Sequence, residues 1–182
     1  MCIRDSPKED TISLDVGELN FAKKTRGKKP TTSNAKQIPT NLTRRHCVAK
    51  VAEVYDITGK VTPITAGMKL YLHNLIERGL NWDDRIPEDL RHIWEDHFQM
   101  MEGISSIRYQ RAIVPSDVVN LDISTIDFGD ASKNIVCVAI YARFKRKSGY
   151  TCQLVFARSR LVPDGMTLPR AELFAATLNT HT

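Results

Sequence analysis

The period of apolar and polar residues changes several times along the chain. Residues 11–22 alternate apolar and polar side chains, a pattern that predicts a half-buried strand or hairpin. Residues 23–40 are basic, contain Thr, Ser and Pro and show no period, so they are predicted to form a loop. The chain therefore opens with a short β segment and an irregular connection.

Three amphipathic helices are predicted next: the first runs from Thr43 to a stop near Gly59, the second starts at Thr62 with Gly79 just past its end, and the third runs from Pro87 to Gly103. In each of them apolar residues recur every three or four positions, as on one face of a helix. Thr43 is suited to cap the first helix, and the pair Thr62-Pro63 is suited to open the second. Because all three helices carry an apolar stripe, we expect them to pack together.

After residue 120 the pattern returns to strands. Residues 121–128, 135–144 and 151–157 are apolar or alternating, and the polar stretch 145–149 separates the last two. This arrangement predicts a three-stranded antiparallel meander. A further helix is predicted to start at Pro169. The fold class is therefore α/β, with a helical segment followed by a small sheet and a helix.

Composition excludes several classes of protein. The chain has 182 residues, of which 42% are hydrophobic and 26% charged, as in an ordinary core-forming protein. It contains neither an apolar run long enough for a membrane span nor an N-terminal secretory signal. Cys2, Cys47, Cys137 and Cys152 have no CxxC spacing, so a zinc site or a disulfide framework is not expected.

The net charge of +5 comes entirely from the N-terminal quarter. Residues 1–45 hold ten Lys/Arg and five Asp/Glu, whereas residues 46–182 hold sixteen of each. Within the first segment, a cluster of five cations falls in seven residues: Lys23, Lys24, Arg26, Lys28 and Lys29. The cluster can neutralise nucleic-acid phosphates or can simply keep a linker solvated, and its sequence is compatible with both.

Two carboxylates are candidates for a divalent metal. Asp130 lies at the end of the first predicted strand, and Glu172 lies in the first turn of the last predicted helix. If that helix packs on the meander, both could reach one Mg²⁺, which prefers oxygen ligands. The alternative is structural, because Asp suits strand ends and Glu suits a helix N-terminus. Asp127 is a weaker candidate, since a spacing of three residues places it on the opposite face of the strand.

Other motifs are given structural interpretations. His92 and His97 are five residues apart, do not form an HExxH motif, and are predicted to be exposed helix residues. Residues 56–59 (DITG) have one residue more than the Asp-Thr-Gly of aspartic proteases, and are predicted to form a turn that ends the first helix. The chain contains no GxGxxG, GxxxxGK[ST] or GxSxG motif.

Ordered blocks of sequence carry a resemblance to one family. They read AEVYDITGKVTPIT from Ala52, LNWDDRIPEDL from Leu80, FGDAS from Phe128, and ARSRLVP from Ala157 followed by LPRAEL from Leu168. In this order the chain resembles the pol polyprotein of BEL/Pao long-terminal-repeat retrotransposons, in the region known as the Pao retrotransposon peptidase family. The resemblance covers residues 42–175.

The resemblance implies a division of the chain. Residues 11–40 would be a strand or hairpin and basic loop from the end of the reverse transcriptase, and residues 41–115 a helical thumb or connection region. Residues 121–182 would be a truncated RNase H-like domain, consisting of a three-stranded antiparallel meander and the first helix. Residues 1–10 do not match the family, and Met1–Ser6 resembles translated adapter sequence. Without a fourth strand, the first strand of the meander would present an unpaired edge.

The resemblance also implies a chemistry for the intact parent polyprotein. Such domains cleave RNA in RNA/DNA hybrids by two-metal hydrolysis with Mg²⁺, and the matching metal ligands are Asp130 and Glu172. The basic residues Arg143, Lys145, Arg146 and Lys147, with the 23–29 cluster, would contact phosphates. Because the further aspartates of the set are missing, we expect this chain alone to be inactive. The other expected partner is the rest of the pol polyprotein, and the expected location is intracellular, in cytoplasmic virus-like particles or the nucleus.

Some features depart from the family or leave an alternative open. Relatives approach the Asp-Ala-Ser with a His-Gly-Phe-like sequence, whereas this chain reads Ile126-Asp127-Phe128-Gly129. The Tyr-x-Asp-Asp of the polymerase is absent, and no Asp-Thr/Ser-Gly supports a peptidase. The alternative to a polyprotein enzyme is a domesticated, non-enzymatic fragment that binds nucleic acid or a protein partner.

Overall fold

The structure is a computed structural model that describes residues 2–6, 10–15, 21 and 38–180. The described residues form six strands and four helices. Three strands, β1 (Cys2–Ser6), β2 (Thr11–Asp15) and β3 (Tyr109–Gln110), make one sheet in the order β1-β2-β3. Strand β2 agrees with the predicted alternation after residue 11, whereas the sequence pattern predicted no element at β1.

The chain divides into two compact units. The first includes the described residues within 1–6, 12–55 and 67–109, and the second those within 7–11, 56–66 and 110–182. The segment 56–66, which the sequence assigns to a loop and the start of a helix, thus groups with the C-terminal part of the chain.

Three helices dominate the first part of the chain: α1 (Arg44–Glu53), α2 (Thr62–Glu77) and α3 (Glu88–Ile104). The predicted α2 and α3 are confirmed. Helix α3 buries the side chains expected from its spacing, at Leu90, Trp94, Phe98 and Met101. These side chains form part of the apolar core of the first unit, which also includes the buried Leu42, Met68 and Leu75.

Helix α1 is shorter than its apolar pattern predicts. Thr43 is its N-cap, and the Nδ1 atom of His46 accepts a hydrogen bond from the Thr43 backbone N at 3.2 Å. The helix ends at Glu53, because Val54 adopts an extended conformation with ψ 107°. Residues 54–59 therefore lie outside the helix.

The second unit is built on a second sheet in the order β4-β5-β6, with β4 Val118–Ala131, β5 Ile135–Arg146 and β6 Gly149–Leu161. Both pairings are antiparallel, so the predicted meander is confirmed, with longer strands than predicted. Strand β4 lies at one edge of the described sheet. Between Ile140 and Tyr141 the β5–β6 register shifts, because Phe156 and Leu154 are their partners and one residue of β6 bulges.

Helix α4 (Leu168–Thr180) covers one face of this sheet. Its buried residues Ala171, Ala175 and Leu178 pack with Val136 and Val138 of β5. Gly129 of β4 allows close approach, since an added Cβ there would lie 3.6 Å from the Ala175 backbone. Small residues on both elements thus fix the helix against the end of the sheet where β4 stops and β5 starts.

Candidate functional site

Asp130 is exposed near the end of β4. Its Oδ1 atom accepts a hydrogen bond from the backbone N of Ala131 at 2.8 Å. In the antiparallel register Asp130 lies opposite Cys137, whereas its neighbours Gly129 and Ala131 lie opposite Val138 and Val136. Because side chains alternate along a strand, Asp130 lies on the face of the sheet that α4 does not cover.

Glu172 is exposed on α4, which lies over the other face. The helix begins at Leu168, one residue before the predicted start at Pro169, and the backbone N of Ala171 donates to Thr167 O at 2.9 Å. The first turn therefore contains no acidic residue. The prediction that Glu172 lies in the first turn is wrong, and the helix-dipole explanation for this residue is correspondingly weakened.

The two candidate carboxylates thus lie at the same end of the sheet but on opposite faces. In this arrangement they do not converge on one cation. Within the part of the chain that the structure describes, no group of three or more His, Cys, Asp or Glu side chains is placed to hold a metal ion. As arranged here, Asp130 and Glu172 by themselves do not make a Mg²⁺ centre.

Unlike Asp130, Asp127 lies on the face of the sheet against which α4 packs. It lies opposite Ile140 in the register, on the face shared by Gly129, Ala131 and α4. The prediction that Asp127 and Asp130 occupy opposite faces of the sheet is confirmed. The tertiary structure adds that α4 packs on the face that carries Asp127.

The basic residues of the β5–β6 hairpin are mostly engaged within the chain. The Nε atom of Arg146 lies 2.8 Å from each carboxylate oxygen of Asp117. Lys145 lies 3.9 Å from Asp122, and the guanidinium of Arg143 lies 4.3 Å from the centre of the Tyr150 ring. The hydrogen bond that Arg146 donates to Asp117 lowers the pKa of the Asp117 carboxyl.

The other cations predicted to contact phosphates are Lys147 and the 23–29 cluster. Lys147 is exposed in the hairpin turn, where the larger contribution of Arg146 and the charge of Lys147 together lower the pKa of Asp117. The cluster Lys23, Lys24, Arg26, Lys28 and Lys29 lies outside the described residues.

Asp56 has a structural role and is not the catalytic aspartate of a protease. Its Oδ1 atom accepts hydrogen bonds from Gly59 N at 2.9 Å and Thr58 Oγ1 at 3.3 Å, and its Oδ2 atom accepts one from Val61 N at 2.7 Å. These bonds close a turn before α2. The predicted turn at residues 56–59 is confirmed, although it begins after the end of α1.

A pair of cavities on the face opposite α4 was not predicted. The first, of about 310 Å³, lies between this face and the segment 59–66, and the second measures about 520 Å³. Both are lined by Phe128, Ala139 and Tyr141. Alternation along the predicted strands places these residues on one face of the sheet, so the sequence pattern could have indicated this surface. Only the pairing register shows that they lie beside one another on neighbouring strands.

Residues 43–182 match the family described as the Pao retrotransposon-like RNaseH-like domain. The match includes helices α1–α3 as well as the β4–β6 sheet and α4. No curated protein and no solved structure matches the chain. None of the helices in the described ranges is long and apolar enough to cross a membrane. The chain belongs to the Pao retrotransposon-like RNaseH-like domain family, and is an RNase H-like segment of a Pao/BEL retrotransposon pol polyprotein.

Proposed function

We propose that this segment acts in reverse transcription, in a parent polyprotein that cleaves the RNA strand of RNA/DNA hybrids by two-metal hydrolysis. The family match over residues 43–182 carries the proposal. The antiparallel β4–β6 sheet with α4 packed on one face supports it, because this is the start expected of an RNase H-like fold. The same proposal makes the rest of the polyprotein a partner of this chain.

Asp130 and Glu172 are the proposed metal ligands in the intact parent, with Mg²⁺ as the proposed ion. Their exposed carboxylates suit a hard cation. Since they lie on opposite faces of the sheet here, the parent must supply further carboxylates or a different arrangement of this end of the sheet. The chain by itself is expected to be inactive.

A hydrolysis assay on an end-labelled RNA/DNA hybrid tests this function. With Mg²⁺, the parent polyprotein should cleave the RNA strand, and the 182-residue chain should not. In the parent, Asp130→Asn and Glu172→Gln should each abolish cleavage, while Asp127→Asn serves as the matched control on the same strand. Cleavage by the isolated chain, or loss of parental activity in Asp127→Asn but not in Asp130→Asn, would contradict the assignment.

The second candidate function is binding without catalysis, to nucleic acid or to a protein partner. The observation that favours it is the exposed set of aromatic and cationic side chains on the sheet face opposite α4. Binding that persists in EDTA, without hydrolysis in Mg²⁺ by either chain or parent, would favour this candidate.

A further inference from the structure

The sheet face opposite α4 carries aromatic and cationic side chains together. Alternate residues of β5 lie on it, namely Ala139, Tyr141, Arg143 and Lys145, and the register adds Phe128 from β4 and Tyr150 from β6. We call these six residues the aromatic face. Phe128 is 57% exposed and Tyr150 is 60% exposed, so both rings are accessible to a ligand.

Two cavities on this face are lined by the same pair of aromatic rings. Phe128 and Tyr141 meet edge to face, with ring centres 5.9 Å apart and an interplanar angle of 85°. Both rings line both cavities. The volume of the first cavity, about 310 Å³, accommodates one planar ring system.

Cations flank the rings. The guanidinium plane of Arg143 lies over Tyr150, so its charge is held against an aromatic ring and its remaining donors are available to a ligand. Lys145 follows on the same face, 3.9 Å from Asp122 and half exposed. Lys60 lines the first cavity, where burial lowers its pKa.

Charged side chains are distributed unevenly along the aromatic face. Asp130 and Lys60 both line the first cavity, so their opposite charges offset each other there, and the Asp130 carboxylate can accept hydrogen bonds from base N–H groups. Arg143 and Lys145 lie further along β5, beyond Tyr141. A ligand with planar rings at one end and anionic groups at the other therefore fits this arrangement.

We propose that the aromatic face binds the unpaired bases of single-stranded nucleic acid, with phosphates on Arg143 and Lys145. Exposed aromatic rings on a sheet suit unpaired bases, which stack on them, whereas a duplex keeps its bases stacked internally. This inference rests on the nucleic-acid-binding part of the proposed function and does not require hydrolysis. A second copy of the chain, docked through the same rings, is the other possible occupant and is an outcome of the test.

Fluorescence anisotropy with a labelled twelve-nucleotide oligo-dT and the full 182-residue chain, in EDTA, tests the proposal. The chain should bind the single strand at least about tenfold more tightly than a DNA duplex of equal length. Phe128→Leu and Tyr141→Leu keep apolar volume and remove the stacking ring, so each should weaken single-strand binding about tenfold. Leu173→Ala, an exposed apolar change on α4, is the control and should bind as the wild type does.

A matched pair of charge variants tests the phosphate contacts. Arg143→Gln/Lys145→Gln should weaken binding and reduce its salt dependence, whereas Arg158→Gln/Arg160→Gln, which removes two exposed cations from the opposite face, should not. Circular dichroism and thermal melting establish that each variant is folded.

The two proposals fail differently. The aromatic-face proposal is overturned if single-strand binding is unchanged in both folded Leu variants, or if the chain binds single strand and duplex with equal affinity. Either result leaves the proposed hybrid cleavage by the parent unaffected. Loss of a dimer in the Leu variants, seen by sedimentation, would assign the face to a second copy and also overturn it. Failure of the parent to cleave hybrid while oligo-dT binding persists would instead overturn the proposed hydrolysis alone.

Discussion

An added Cβ at Gly59 would lie 1.8 Å from the carbonyl oxygen of Ala157. The approach is this close because the backbone N of Ala157, on β6, donates a hydrogen bond to Thr58 O at 2.9 Å. The turn that Asp56 closes is therefore held directly against β6. Gly59 also has φ +76°, a conformation that side chains disfavour, so both space and backbone geometry require glycine here.

Gly59→Ala is expected to destabilise the protein by about 3 kcal/mol or more, because left-handed backbone strain and a backbone clash add together. Gly79→Ala is the matched control, since Gly79 has φ +72° but no atom within 4 Å of an added Cβ. It should cost only about 1 kcal/mol from strain. Urea unfolding followed by circular dichroism measures both, and equal losses would contradict the contact with Ala157.

Gly129→Leu should destabilise the second unit by about 2 kcal/mol, because a large side chain there would push α4 away from the sheet. Gly129→Ala should be nearly neutral, since an added Cβ lies in ordinary van der Waals contact, 3.6 Å from the Ala175 backbone. Gly103→Leu, at a position with open space, controls for the larger side chain. Thermal denaturation compares them, and a tolerated Gly129→Leu would argue against this packing.

The stability of the first unit should fall on acidification through His46. Burial, with the charge of Lys50, lowers the pKa of His46 below its ordinary 6.5. The unfolded chain therefore takes up the proton first, and the free energy of unfolding should decrease as pH falls below about 6.5 and on through the folded pKa. Protonation of Nδ1 also removes the acceptor for Thr43 N, which costs about 1 kcal/mol.

The variant His46→Gln separates the cap from the titration. Gln at this position can keep the hydrogen bond to the N-cap and does not titrate. Urea unfolding at pH 7.5 and 5.5 should show a smaller loss of stability in His46→Gln than in the wild type. The same loss in both proteins would exclude His46 as the source.

Among the hairpin cations, Lys147 should contribute more to binding of RNA/DNA hybrid than Arg146. Arg146 is already paired with Asp117, whereas Lys147 is exposed in the turn. Lys147→Gln should lower the slope of log affinity against log salt by about one, and Arg146→Gln by less. The measurement is hybrid binding in EDTA at several salt concentrations, and a larger effect of Arg146→Gln would contradict this order.

The Arg146–Asp117 pair should instead affect stability as a function of pH. The pKa of Asp117 is lowered in the folded state, so the contribution of the pair is present above the ordinary Asp pKa and is lost as pH falls through the folded value. Arg146→Gln should therefore reduce stability at pH 7 and make no difference at strongly acidic pH. Acid titration of both proteins, followed by circular dichroism, checks this.

The order and type of most elements followed from the sequence because they depend on local periodicity. The spacing of apolar residues predicted α2, α3, the β4–β6 meander and α4. The boundaries were less accurate, since they depend on side-chain contacts that periodicity does not contain. The apolar residues 54–57 extended the predicted α1, but the carboxylate of Asp56 binds the backbone of the following turn instead.

Local periodicity also does not predict the burial of every side chain, as two histidines of α3 show. His92 is exposed as predicted, but the prediction for His97 is wrong. The His97 ring lies 5.2 Å from that of Tyr71, and its Nδ1 atom lies 2.7 Å from Ile93 O. Both histidines have similar sequence surroundings on α3. Only the packing of α2 beside α3, within the first unit, distinguishes them.

The sequence by itself determined the family and the order of most elements, and it singled out Asp130 and Glu172 as candidate carboxylates, because these follow from ordered motifs and local period. The tertiary structure decided which face each side chain occupies relative to α4. Strand alternation separates Asp127 from Asp130, but only the packing of Ala175 against Gly129 places the helix on the side of Asp127. The aromatic face arose in the same way, since cross-strand register is a long-range property that joins residues distant in the chain.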